Sequence, residues 1–598
     1  MRCIQAAYDW VSPRSFPALQ RPSRCWRWTA RRVSALVCLA AALASGCTTI
    51  RDYVHNGFKV GPNYERPPAP VAQHWIDSDD VRIRSETDDI SQWWTVFNDP
   101  TLNSLICQAY HQNLTLREAA FRVLESRAQL AISIGNLFPQ TQNMSSTYTR
   151  NAISLLNANN SVFFAGKRWF QQWGYNFNLS WELDFWGRLR RAVESNEATL
   201  DASVEDYDDV LVILLGQIAT NYIQIRTFEQ RIEFAKTNVE IQRQTLKIVQ
   251  GNVRVGTLNE LDLDQALSTL QQTEAEIPEL EIGLRLANNQ LCILLGIPPE
   301  NLHEKLGNGP IPTAPIDVAV GIPADLLRRR PDVRRAERQA AAQCALIGVS
   351  EAEFYPHFTF NGTMGWSSEH IKGLFKEESV AGDLGPGFTW NILNYGRILS
   401  DVRFQDARFQ ELVVTYQNTV LTAQQDVENG LITFIRAQKR TQLQGQSVTN
   451  AEKAVRIALA QYTAGVIDLT RVTLLQQTLV QQQDTLAQAQ GEIGLGLVQV
   501  YEALGGGWQI RLTDCEPIPL PVPRTGPEAP KTSPVLPNIP SGDKKPTPGI
   551  LPPPQPIPDK PKLPDTAPGS NANPPAGNPR RLTDLLRGSD QRNGEPGQ

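Results

Sequence analysis

Apolar side chains return at steps of three and four along most of this chain, as in Leu211, Leu214, Leu215, Ile218, Tyr222 and Ile225. That spacing places them on one stripe of a helix. Proline is absent from residues 187–251 and from residues 396–504, so those runs hold no strong helix breaker. At roughly 1.5 Å per residue, about 65 residues reach close to 100 Å. Helices of that length are foreign to an ordinary globular core and predict coiled-coil or helical-barrel packing. Glutamine fills much of the remainder, including Gln424, Gln425, Gln476, Gln477 and Gln481 to Gln483, which reads as a water-facing side opposite the apolar stripe. Arg254-Val255-Gly256-Thr257 and Thr463-Ala464-Gly465-Val466 each place a glycine where a long helix must stop and reverse. A shorter helix then returns, to Leu295 in one case and Leu504 in the other. Pro278 falls in the first return helix and is expected to bend or interrupt it. Leu102 to Gly135 and Pro331 to Ala352 are helical by pattern, and set end on with the return helices they would cover the rest of each long helix.

A second texture, of period two, separates these helices. Tyr175, Phe177, Leu179, Trp181 and Leu183 alternate with Asn176, Asn178, Ser180, Glu182 and Asp184. Further on, Phe358, Phe360, Met364 and Trp366 alternate with His357, Thr359, Asn361 and Thr363, and Phe388, Trp390 and Ile392 alternate with Thr389 and Asn391. Alternation over about nine residues fits a transmembrane β-strand with lipid on one face and water on the other; a half-buried soluble hairpin alternates in the same way. The partner segment Gln140 to Arg150 is polar and alternates only weakly. Four strands cannot close a barrel that satisfies every backbone group in lipid, since such barrels begin at about eight strands. The membrane reading therefore requires several chains to share one barrel.

Both textures occur twice. Trp181, Gly187, Arg188, Gly256, Leu295 and Gly296 recur as Trp390, Gly396, Arg397, Gly465, Leu504 and Gly505, each 209 positions later. Leu116, Arg117, Ala119, Ala128 and Pro139 recur as Val333, Arg334, Ala336, Ala345 and Pro356, 217 positions later. Constant offsets mean one structural unit used twice. The difference between the offsets falls between Pro139 and Trp181, where the first copy should carry the longer loop. The boundaries that follow are residues 101–310 for the first repeat and 311–513 for the second.

The chain ends differ from this body. Arg21, Arg24, Arg27, Arg31 and Arg32 precede the apolar run Val33 to Leu43 and then Ala44-Ser45-Gly46-Cys47. This is a secretory signal over residues 1–46, too short to span a bilayer as a mature helix. Small residues before Cys47 resemble a bacterial lipobox, which implies lipidation at Cys47; Leu43 stands one place early, with Ala44 in the usual leucine position, and an ordinarily cleaved signal is the alternative. Residues 47–100 read as an extended, lipid-anchored segment. Residues 514–598 form a proline-rich tail holding more than half of the 42 prolines, a composition that opposes folding. The net charge of −5 over 598 residues, with no basic block, gives no nucleic-acid signal. Cys107, Cys292, Cys344 and Cys515 stand far apart without ligand spacing, and read as neither a disulfide framework nor a metal site. No nucleophile-and-base motif or phosphate loop is present, so neither an enzyme nor a cofactor is expected.

Taken together, the ordered motifs carry a resemblance. After Cys47 come Val60-Gly61-Pro62-Asn63-Tyr64-Glu65-Arg66-Pro67, then Trp93-Trp94 with Phe97 and Asp99-Pro100, then Trp181-Glu182-Leu183-Asp184-Phe185-Trp186-Gly187-Arg188, and finally Leu504-Gly505-Gly506-Gly507-Trp508. From the lipobox to about Thr513 the chain resembles the TolC/OprM outer-membrane factors, most closely the NodT-type efflux lipoproteins. The resemblance implies a mainly α fold of two tandem repeats, assembled as a homotrimer with a shared twelve-stranded barrel in outer-membrane lipid and a periplasmic α-helical barrel. It implies a passive exit duct working with a periplasmic adaptor and an inner-membrane RND-type pump. It assigns adaptor docking to the two turns, through Arg254, Val255, Gly256, Thr257, Tyr462, Gly465 and Val466, and a periplasmic gate to Asp468 and Arg471. Those two are one helical turn apart, and threefold symmetry would bring them to the axis. Ile467 departs from the family tip, where an acidic residue often follows the turn. Arg188 and Arg397, just past the strand ends, are expected to anchor the junction of barrel and helix. A type I protein-secretion duct shares this fold. A structural coiled-coil lipoprotein does not, having no use for a hairpin placed identically in two repeats.

Overall fold

The computed structural model describes residues 50–86, 89–152, 154 and 168–515. The signal segment, Cys47 and the tail beyond Cys515 lie outside them. In chain order the main elements are α1 (Pro100–Gln112), α2 (Leu114–Gly135), β1 (Thr141–Ala152), β2 (Trp169–Leu183), α3 (Arg188–Arg254) and α4 (Glu260–Leu294). The second copy follows as α5 (Pro331–Ala352), β3 (His357–Ser368), β4 (Val380–Thr389), α6 (Arg397–Thr463) and α7 (Leu469–Ala503). Both long helices have 67 residues and both return helices 35, so each long helix spans about 100 Å. Each long helix starts after a glycine in the left-handed region, Gly187 at φ 82° and Gly396 at φ 79°, a conformation that a Cβ disfavours. The connection between strands is residues 153–168 in the first copy and 369–379 in the second, so the longer one lies where the offsets place it.

α2 and α4 pack along α3, α7 packs on both long helices, and α5 fills the place between α3 and α6. One contact joins each stacked pair. Asn113 donates from Nδ2 to Leu294 O at 2.9 Å while its Oδ1 accepts from Leu116 N; Arg330 donates from Nη1 to Ala503 O at 3.0 Å. The residue before each short helix thus satisfies the last carbonyl of the return helix, at positions related by the two offsets. The main core lies around these junctions, where Trp93, Trp94, Leu105, Leu215, Tyr222 and Phe434 are buried together.

Four expectations change. Leu102 to Gly135 is two helices, because Asn113 adopts an extended ψ of 129° and starts a new helix with its own side chain as cap. α4 runs through Pro278 without interruption; it packs with α3 on either side of the proline, through Leu270 and Ile277 before it and through Leu280 and the approach of Gly283 to the Phe228 ring after it. β4 ends at Thr389, and Trp390 to Ile392 lie beyond it, since the chain must turn through Tyr395 at φ 51° and Gly396 into α6. Finally, Cys107 and Cys515 are paired, 408 residues apart with Cα atoms 5.8 Å from each other. No local spacing could announce that pair.

Candidate functional site

The four strands form one antiparallel sheet in the order β1-β2-β3-β4. Register settles the two faces. Met144 pairs with Phe177 and Phe177 with Met364, while Trp181 pairs with Phe360 and Leu183 with Phe358. These rows form an apolar face. On the other face Asn178 donates to Asn143 Oδ1 at 2.8 Å, Ser180 to Asn361 Oδ1 at 2.6 Å, and Gln172 to Ser367 Oγ at 3.1 Å. One face thus suits lipid and the other water. β1 and β4 are open edges in one chain, and open edges are not viable in a bilayer. Several copies must therefore share one sheet for it to close.

Below the sheet, tryptophans tie strand ends to the chain entering the hairpins. Trp181 Nε1 donates to Leu137 O at 3.1 Å, and Trp390 Nε1 to Phe354 O at 3.0 Å. The two bonds are equivalent under the duplication. Arg188 grips Glu182 with Nη2 at 2.6 Å and Nε at 3.0 Å, as an anchor of this junction should. Arg397 is exposed and forms no ion pair among the described residues. Arg191, which sequence reading passed over, holds the N-terminal segment instead. Its guanidinium donates to Val60 O, Gly61 O and Asn63 Oδ1 at 2.9–3.0 Å. The Val60-Gly61-Pro62-Asn63 motif was the available signal.

At the far ends of the long helices lie the two turns. Val255 and Ala464 end their helices, and Gly256 (φ 79°) and Gly465 (φ 73°) reverse the chain. Thr257 N donates to Asn252 O and Val466 N to Gln461 O, both at 2.9 Å, closing each helix by the same glycine-dependent motif. Arg254, Gly256, Thr257 and Gly465 are exposed, and Val255 and Val466 are 73% and 70% exposed. Singly exposed valines are ordinary on a protein surface, so what the two tips share is their glycine-closed geometry. Tyr462 is buried beneath them with Val249, Leu469 and Val472, so it supports the tip and does not face outward.

The return helices start differently. Asn259 and Asp262 form a reciprocal capping box on α4. The equivalent positions on α7 are Asp468 and Arg471. Asp468 Oδ1 accepts Arg471 N at 3.0 Å, but an arginine cannot complete the box. Both side chains are exposed, and no ion pair joins them among the described residues. Arg471 thus stands in the first turn of a helix, where the dipole favours an acid.

Between the tips and the main core, α3 and α7 meet in a polar seam. Asn238 donates to Gln483 Oε1 at 2.7 Å and Gln476 to Thr245 Oγ1 at 2.8 Å. Gln476 and Gln483 are only 3% and 6% exposed, which corrects their reading as water-facing. A lone helix cannot show which of its glutamines another helix will cover. Among the described residues no cluster of three or more His, Cys, Asp or Glu side chains is set to hold a metal ion.

The sequence profile of the outer membrane efflux protein family matches residues 105–297 and 322–506, one segment in each copy. This chain belongs to that family. The efflux protein is 30% identical over 464 residues to nodulation protein T of Rhizobium leguminosarum bv. trifolii, covering 76% of this chain and 95% of the relative. It is 30% identical over 425 residues to the pyoverdine export outer membrane protein OpmQ of Pseudomonas putida strain KT2440, covering 70% of this chain and 88% of that one. Among solved structures, the outer-membrane channel OprN is similar, with a TM-score of 0.70, 28% identity, and coverage of 75% of this chain and 99% of that one. The efflux protein is the outer-membrane exit duct of a tripartite system. It works as a homotrimer with a periplasmic adaptor and an inner-membrane RND-type pump, its barrel in the outer membrane and its helices in the periplasm. Family members are channels rather than enzymes.

Proposed function

We propose that the duct carries small molecules, opens at the tips, and is closed there by charge. Three chains around one axis place six turns at the periplasmic mouth. Val255 and Val466, with Arg254, Gly256, Thr257 and Gly465 around them, receive the adaptor, while Tyr462 keeps the second turn rigid from below. Asp468 and Arg471 of neighbouring chains pair across the mouth and narrow it. The observation that carries this reading is the break in symmetry between the copies. Where the first copy completes a capping box with Asp262, the second puts Arg471 at a position that serves its own helix poorly, and so leaves a charged side chain free for another chain. Cargo needs no binding pocket, because a water-filled tunnel with a polar lining accepts what the pump delivers. OpmQ, named for pyoverdine export, favours a small cargo over a secreted protein. Cys47, after signal cleavage, takes the lipid anchor, adding membrane affinity without forming the pore.

The test is electrical recording of the purified trimer in a planar bilayer, with cysteines at Val255 and Val466 for cross-linking to the cognate adaptor in cells. Discrete conductance steps and tip cross-links are expected. A trimer whose Arg471→Ala form conducts like the parent, or tips that never cross-link, would refute the gate or the docking assignment respectively.

A further inference from the structure

The family match ends at residue 506, yet the fold continues to Cys515. Residues 508–515 form a strap over three helices. Trp508 lies against the Arg334 guanidinium of α5, 4.7 Å from ring centre to Cζ. Arg511 reaches α3, where Nε and Nη2 donate to the two Asp208 oxygens at 2.7 and 3.0 Å. His111 of α1 contacts Cys515 O at 3.0 Å, and Cys107 of α1 is bonded to Cys515. Beneath the strap is a dense charge cluster. Asp208 is 1% exposed, and Arg334 Nη2 stands 2.5 Å from Glu205 and 3.6 Å from Asp208. Burial pushes both carboxyls up, with Arg334 and Arg511 opposing it.

Such a cluster needs its last cation held in place, because a buried carboxylate without its partner is strongly unfavourable. The strap is poorly equipped to do that alone. Its helix has four residues, Ile510 is buried but Leu512 is 67% exposed, and short terminal segments fray unless tied down. We infer that Cys107 and Cys515 are an oxidative modification site: their disulfide, made after export, fastens the strap over the Asp208 cluster, and a mature, heat-stable duct requires it.

The periplasm permits such bonds. Two thiols become one disulfide with loss of two protons and two electrons. The acceptor is the disulfide of a periplasmic thiol oxidant, which leaves as a dithiol after exchange through a mixed disulfide. Cys107 is buried once the strap is docked, so oxidation accompanies docking. The other thiols among the described residues do not compete. Cys292 and Cys344 are buried and unpaired, and burial pushes the Cys344 thiol up to about 11, away from the reactive thiolate.

The test uses the full-length protein from outer membranes, denatured directly in acid and then alkylated with a mass tag before and after reductant. A gain of two tags on reduction, mapped to peptides of Cys107 and Cys515, is expected; no gain overturns the bond. Hydrogen exchange of residues 508–515 and the temperature of trimer dissociation then test the fastening, in a Cys107→Ala/Cys515→Ala variant and in parent protein reduced after folding. At least tenfold faster exchange of the strap and earlier dissociation are expected in both. Unchanged strap protection and an unchanged dissociation temperature in the reduced parent would overturn the fastening role, even if the doubly substituted chain does not assemble.

Discussion

Asp468 combines two roles that one substitution series can separate. It sits before the first turn of α7 at φ −82°, ψ 166°, and its Oδ1 accepts Arg471 N at 3.0 Å. Asparagine keeps that acceptor, and the first copy uses Asn259 at the same place. Asp468→Asn should therefore change helix stability by only a few tenths of a kcal/mol, whereas Asp468→Ala should cost about 1 kcal/mol per chain. The charge acts separately. An exposed ion pair contributes about 0.2–1 kcal/mol, so three symmetric pairs at the mouth hold it closed by about 0.6–3 kcal/mol. Removing them should raise the open fraction by about 3- to 140-fold, at about 1.4 kcal/mol per factor of ten. Arg471→Asp should open the mouth further by setting acid beside acid, while restoring the capping box of the first copy. The assays are open probability of the reconstituted trimer and its heat dissociation. The gate assignment fails if Asp468→Asn conducts like the parent while Asp468→Ala only loses heat stability, for Asp468 would then be a helix cap and nothing else.

Three further outcomes follow from the packing. Gly61 has φ +87°, and an added Cβ would press into Gly348 backbone; Gly57 has φ +66° with open space around it. Gly61→Ala should thus cost about 2–5 kcal/mol, combining left-handed strain with overpacking, and Gly57→Ala about 1–2 kcal/mol. Equal shifts in trimer dissociation would deny the close crossing of the N-terminal segment and α5. Asn113→Ala should lose about 2–4 kcal/mol, by removing a helix cap and orphaning Leu294 O; hydrogen exchange at the α2 N-terminus would report it. Burial pushes the Glu502 carboxyl from 4.5 up to about 7, with Arg330 opposing and Asp426 and Asp209 adding to the rise. The folded chain then holds more protons than the unfolded one between those values, so this group's contribution to stability falls as pH rises from about 4.5 to about 7. Glu502→Gln should flatten that slope, leaving stability near pH 4.5 little changed and raising it by about 3 kcal/mol at pH 8. A slope identical to the parent's in thermal melts across this range would exclude Glu502 as its source.

The sequence by itself determined the elements and their lengths, because these depend on neighbours a few residues apart. The three-and-four spacing around Leu211 to Ile225, the absence of proline, and the reversing Gly256 and Gly465 define two long helices and their returns. The alternation around Phe177 defines strands with two unlike faces, and the constant offset of 209 states that the unit occurs twice. The candidate tips were equally legible, since a glycine-closed helix end is a local motif. Only the tertiary structure decided what crosses between distant segments. Asn113 breaks a run that reads as helix because Leu294 O, far away in sequence, needs a donor. Gln476 and Gln483 look solvated until α3 covers them, and Pro278 looks disruptive until contacts on both sides keep α4 continuous through it. Cys107 and Cys515 have no spacing to announce them, since what joins them is the return of the chain end to α1. Local propensity is fixed by the backbone and adjacent side chains, whereas burial and pairing depend on which surfaces the whole chain brings together. That is why the duct's parts can be read along the sequence, while the strap, the seam and the junctions that hold them appear only in three dimensions.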